Sequence, residues 1–183
     1  EPGEMKKTFA VAFMIIAAIF AASCQPVSRN SQRATATAYA VAYMNTAMQA
    51  AETGALALCN IDFKAGGEKY VENVCEVSTQ AGCSFFTSQI AENWGDLARS
   101  YSAERLECKA GTSRFLEEGR QFGMLVQYWQ VNLLGTAGWP SNTNNREYWV
   151  QVAEENGLWK LNRVLTTDEV DFYNAIEGMA SAE

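Results

Sequence analysis

Asn156 and Gly157 stand between two runs of alternating apolar residues, Tyr148 to Glu155 and Leu158 to Leu165. An Asn-Gly pair readily supplies the two positive φ angles of a type I′ turn, whose twist suits the strands it joins. A β-hairpin is therefore expected here. With the pair as a two-residue loop, Val152 faces Leu161 and Tyr148 faces Leu165, which aligns apolar partners on one surface. A lone hairpin is marginal in water and needs further strands or a helix to cover that surface. The run Phe122 to Leu134 supplies a strand: Met124, Val126 and Tyr128 point one way, and Leu125, Trp129, Val131 and Leu133 the other. Apolar side chains on both faces imply a central strand. Ser113 to Glu118 reads as a short strand with Gly119 as a break, and Gly135 to Asn145 as a breaker-rich loop.

The helices come earlier. From Ala34, the residues Ala36, Ala40, Tyr43, Ala47 and Ala51 recur at three- and four-residue intervals, with Gln49 and Glu52 off that stripe and Gly54 offering a stop. This spacing predicts a long Ala-rich helix, with Tyr39, Tyr43, Met44 and Met48 adding bulk. Leu56 to Cys83 suggests short helices and turns without a resolved period. Phe85, Phe86, Ile90, Trp94, Leu97 and Ala98 fall on one face of a helix that Ser84 is placed to cap. At the other end of the chain, Thr166 and Glu169 have capping-box spacing ahead of Val170, Tyr173 and Ile176. This short helix is expected to end near Gly178 and reads as a solvated acidic tail before a docking helix, since basic residues are absent from Asp168 onward. Helices first and a strongly curved antiparallel sheet last make an α+β domain.

The N-terminal stretch bears on the compartment. Lys6 and Lys7 precede an apolar run of 16 residues, Thr8 to Ser23, with Cys24 at its end. As a helix this run measures roughly 24 Å, short of the roughly 30 Å hydrocarbon core, which favours a signal segment over a permanent span. Ala21-Ala22-Ser23-Cys24 resembles a bacterial lipobox, in which the cysteine is lipidated and becomes the new N-terminus, although Ala21 stands where Leu is usual. A lipoprotein at Cys24, a secreted form and an uncleaved short anchor would each export the rest of the chain. Cys59, Cys75, Cys83 and Cys108 then form an even set suited to two disulfides in an oxidising space, with three pairings open.

Charge and composition remove many functions. A net charge of -7, from 14 Lys and Arg against 21 Asp and Glu, argues against nucleic acid as a partner. The count of zero histidines removes Ser-His and Cys-His nucleophile pairs and His-containing zinc sets. No C-x-x-C knuckle or phosphate-binding loop occurs, so neither a metal nor a cofactor is expected. Asp62 and Asp96 are the early carboxylates near apolar residues that would have to act as a base. Arg99, Arg105, Arg114 and Arg120 read as surface pairs.

The order of long helix, smaller helices, two-sided strand and closing hairpin, with Trp159-Lys160-Leu161 after its turn, resembles the cone-shaped nuclear transport factor 2-like fold from about Ala34 to Leu165. Within it, Asp62-Phe63, Phe85-Phe86-Thr87, Trp94 and Tyr128-Trp129-Gln130-Val131 are similar in order to the DotI/IcmL family. That resemblance implies a non-enzymatic, oligomeric scaffold part beside the inner membrane in type IV secretion and conjugation machines. A full membrane helix and a proline after the tryptophan strand, both usual in the family, are replaced here by the short run and Asn132-Leu133-Leu134. The expected division is residues 1–24 as leader or anchor, 25–33 as linker, 34–165 as the α+β domain and 166–183 as the acidic tail. The expected role is an exported, membrane-associated assembly protein, reaching the membrane through an N-terminal lipid or anchor. Its expected partners are envelope proteins, as secretion-system subunits or further copies of the chain. Trp139 and Pro140 in the loop and Val170, Tyr173 and Ile176 on the last helix are the candidate contacts. The alternative is an extracytoplasmic small-molecule-binding or isomerase-like cone, its cavity lined by Tyr39, Tyr43, Trp94, Tyr128, Trp129 and Trp149.

Overall fold

Among the described residues, four helices and a five-stranded, curved and open antiparallel sheet form the α+β fold expected from the sequence. The computed structural model describes residues 46–139 and 145–180, with side chains described as far as 176. The leader, Cys24, the linker, the start of the domain, Tyr39, Tyr43 and Pro140 lie outside the described residues. All the described residues belong to one compact unit, 42–183.

Helix α1 covers 46–59. Ala47, Ala51, Ala55 and Cys59 recur every fourth residue and are wholly buried, so the expected alanine stripe continues for two more turns. Gly54 does not stop this helix. A Cβ there would stand 2.9 Å from Leu161 Cβ, so the glycine admits a strand against the helix backbone. After β1, Ile61–Asp62, helix α2 spans Gly67–Glu76 and α3 spans Gln80–Ser100. Helix α3 starts four residues before the expected cap. Thr79 Oγ1 accepts from Gly82 N at 2.9 Å, whereas Ser84 is already helical and donates its hydroxyl to Gln80 O.

The sheet continues with β2, Arg105–Gln121, β3, Met124–Ala137, β4, Asn145–Glu155, and β5, Leu158–Val164, in sequential order. Central β3 pairs along its length with both β2 and β4. Three expectations shift, the first at Gly135 to Ala137, which were expected in the loop but continue β3 opposite Cys108 and Glu107. Strand β2 has 17 residues and keeps Gly119 in the ladder opposite Val126. Its turn to β3 is Phe122-Gly123, with φ values of 51 and 83 degrees, so Phe122 belongs to a turn and not to the strand.

The Asn156-Gly157 hairpin forms as expected, with φ values of 55 and 78 degrees and Val152 opposite Leu161. A register shift at Asn162 then places Val150 opposite Val164 and lets Leu165 N donate to Trp149 O, so Tyr148 and Leu165 are not partners. The bulged Asn162 is held on both sides: its Oδ1 accepts from Thr79 Oγ1 at 2.7 Å, and its Nδ2 donates to Gln151 Oε1 at 2.7 Å.

Helices α1 to α3 cover one face of the sheet over a core that includes Val74, Phe86, Leu106, Trp129, Val131, Leu133, Val150, Val152 and Leu161. Two disulfides reinforce that side. Cys59–Cys108 joins the end of α1 to β2, and Cys75–Cys83 closes the corner between α2 and α3. The segment between those helices covers the β5 edge, with Thr79 N donating to Leu161 O and Leu161 N to Val77 O. Helix α4, Thr167–Ala180, associates with the opposite face.

Candidate functional site

Strand alternation puts Tyr128 and Trp149 on the face away from α1 to α3. Helix α4 begins with the expected capping box: Thr166 N donates to Glu169 Oε2 at 2.8 Å, and Glu169 N donates back to Thr166 Oγ1 at 3.4 Å. Arg163 donates to both oxygens of Glu169, at 2.7 and 2.6 Å, a bidentate fork that ties the helix to β5. One turn on, the Tyr173 ring stacks on Trp149 with centroids 6.3 Å apart, tilts toward Tyr128, and sends its hydroxyl to Glu117 Oε2 at 2.9 Å. Helix α4 is thus a docked helix and not the solvated tail that its acidity suggested. Uncompensated acidity in sequence conceals partners that come from other strands.

These contacts set the charges. The Arg163 fork, helped by the Thr166 N–H, holds the Glu169 carboxyl down at about 2. Burial, and then the Glu117 carboxylate that accepts its proton, push the Tyr173 hydroxyl above its usual range.

Between α4 and the sheet runs an open groove of about 450 Å³, lined by Gly119, Arg120, Tyr128, Asp168, Phe172 and Tyr173 among others. Phe172 in its lining is 58% exposed, and Ile176, one helical turn further along α4, is 43% exposed. Of the expected contacts on this helix, Val170 and Tyr173 are half-buried, while Ile176 faces solvent. Trp139 is half-buried too: Arg146 lies 3.7 Å from its ring centre and Tyr101 packs on it edge to face. Its ring therefore belongs to the packing and is not a free loop side chain. Among the described residues five exposed apolar side chains were not anticipated: Phe172, Phe122 and Leu158, the last two at 94% and 61% exposure, and also Leu134 and Phe85, the latter expected on the packed face of its helix. A signal for Phe172 exists in its four-residue spacing from Ile176, and one for Phe122 in the glycine immediately after it.

Of the pocket reading's residues, the four that are described, Trp94, Tyr128, Trp129 and Trp149, do not share one cavity. Trp94 and Trp129 pack with the helix-side core, whereas Tyr128 and Trp149 lie on the α4 side. Neither candidate base is buried. Asp62 is ion-paired with Arg105 at 2.9 Å, caps the turn through Lys64 N and Ala65 N, and has its pKa lowered first by that guanidinium. Asp96 is an exposed partner of Arg99 on α3. A second open groove, of about 360 Å³, is lined by Asn60, Asp62, Asn73, Arg105, Glu107 and Thr136 among others, and its ionic groups are already paired through Arg105. Among the described residues no cluster of metal-binding side chains occurs, and no helix is long and apolar enough to cross a membrane.

No known family profile matches the chain, and no curated protein matches it. Two solved structures are similar to it. A periplasmic fragment of TraM aligns at a TM-score of 0.46 and 12% identity, covering 67% of this chain and 95% of that one. The periplasmic domain of DotI aligns at a TM-score of 0.47 and 13% identity, covering 78% of this chain and 96% of that one.

Proposed function

We propose that the protein is an exported, membrane-associated and non-catalytic assembly component, which works through contacts on the α4 side of its sheet in a type IV secretion or conjugation machine. The observation that carries this reading is the aromatic groove beside α4, with Phe172 exposed in its lining and Ile176 exposed one helical turn further along α4. Exposed apolar side chains rimmed by charge, here Asp168 and Arg120, are the usual composition of a protein contact surface. The two disulfides support an oxidising compartment. The choice of machine rests on the sequence resemblance alone. The residues that carry it include core positions, Phe63 against Trp94 at 5.7 Å and buried Phe86 and Trp129, so they bear on fold before they bear on partners.

Photo-crosslinking in cells from positions 172 and 176, with adducts identified by mass spectrometry, tests the proposal. Adducts with subunits of a secretion or conjugation apparatus are expected, along with their loss in a Phe172→Ser, Ile176→Ser chain of unchanged melting temperature. An absence of protein adducts from either position would sink it.

A further inference from the structure

The chain builds the same two-residue turn twice. At 156–157 it uses Asn-Gly and at 122–123 Phe-Gly, with first-position φ values of 55 and 51 degrees. Asparagine tolerates this left-handed conformation, but a bulky side chain there is an outlier that costs free energy. The strained ring also gains little from burial, since Phe122 is 94% exposed. Strain joined to full exposure of an aromatic side chain points to a use outside the folded chain.

The neighbourhood suggests which use. Arg120, two residues before Phe122, is exposed and lines the groove beside α4, so tip and groove adjoin on one surface. The tip is cationic and aromatic. The α4 bank beside it is anionic and aromatic, with Asp168 and Phe172 in the groove and Asp171 exposed next to them. A surface that carries both halves of a complementary pair side by side can meet itself across a two-fold axis, each copy giving what the other receives.

We infer that the Phe122 hairpin tip of one copy inserts into the α4 groove of a second copy, and the reverse, with Arg120 of each facing Asp168 of the other. The groove, at about 450 Å³, is large enough for a phenyl ring laid over the contiguous rings of Phe172, Tyr173 and Tyr128, which line it. Two rings and two ion pairs make a small interface, in the class below about 1,200 Å², so association is concentration-dependent. This inference rests on the reading of the α4 side as a contact surface and names one occupant for it.

Sedimentation velocity of the full chain in mild detergent, across a dilution series, tests it. Phe122→Asn is expected to raise the melting temperature, by relieving the turn, and to weaken dimerisation at least about tenfold. Arg120→Glu and Asp168→Arg are each expected to impair dimerisation, yet to form a heterodimer when mixed, because one mixed contact is then restored and the other is native. Failure of the mixture to associate, or full dimerisation of Phe122→Asn, overturns the inference. If that variant still dimerises but loses crosslinks from 172 to envelope proteins, the tip serves another protein: the second copy is wrong and the assembly role stands. If dimerisation and crosslinks are both unchanged, the tip has no part in either.

Discussion

Gly54 shows how one residue can mislead locally and matter globally. On helix propensity alone Gly54→Ala should stabilise α1 by about 1 kcal/mol. The new methyl would instead meet Leu161 at 2.9 Å, with the contact at that residue's own Cβ, which cannot swing away. Overpacking of this kind costs about 1–3 kcal/mol, so a net loss is expected, read as a lower denaturant midpoint at unchanged slope. Phe122 has the opposite sign. Replacing it by Asn gives the turn the residue that the 156–157 hairpin already uses, and a gain of about 0.5–1 kcal/mol is expected in the same measurement. Asp62 teaches a third lesson. A carboxylate among apolar letters looks like a candidate base, yet two backbone N–H groups and Arg105 already occupy it.

Among the elements, α4 depends most on conditions. Its docking includes the Arg163–Glu169 fork, and Glu169 titrates at about 2 in the folded chain against an ordinary 4.5. Because the folded value is the lower one, this contribution is complete above about pH 4.5 and drains away as pH falls toward 2. The pair is partly exposed, so its worth is about 1 kcal/mol after screening by water. Hydrogen exchange should show α4 amides losing protection across that pH window before the central strands do. Arg163→Met should produce the same loss already at neutral pH; equal protection in both chains would show that the aromatic contacts alone hold the helix. The β2 edge is managed differently. Beyond its two residues opposite β1 it carries three register shifts and the charged Lys109, Arg114, Glu117 and Arg120, features that discourage strand addition.

For the molecule as a whole, the disulfides differ in weight because they close different loops. Cys59–Cys108 spans a separation of 49 residues and Cys75–Cys83 one of 8. Loop-closure entropy makes the first worth about 4 kcal/mol and the second about 2.5 kcal/mol. Cys59→Ala, Cys108→Ala should therefore lower the unfolding free energy more than Cys75→Ala, Cys83→Ala does, and the reverse order would mean that native packing outweighs the restraint on the unfolded chain.

Much of the fold was legible from the amino acids because its signals are local. The Asn-Gly turn, the two-sided β3, the Ala47 and Ala51 end of the alanine stripe and the Thr166–Glu169 capping box each need only neighbours in sequence, and each occurs among the described residues. What lay beyond reach depends on residues distant in the chain. Nothing near Gly54 announces Leu161, nothing near Asn162 announces Thr79, and nothing in the acidic C-terminal letters announces Arg163 or Glu117 as partners. The same holds for the candidate site. Val170, Tyr173 and Ile176 were found by period, but which of them turns inward was decided by the docking of α4 on Tyr128 and Trp149. Local sequence sets backbone conformation and the spacing of apolar side chains. Contacts between segments far apart in the chain form only on folding, and they decide what is left exposed for a partner.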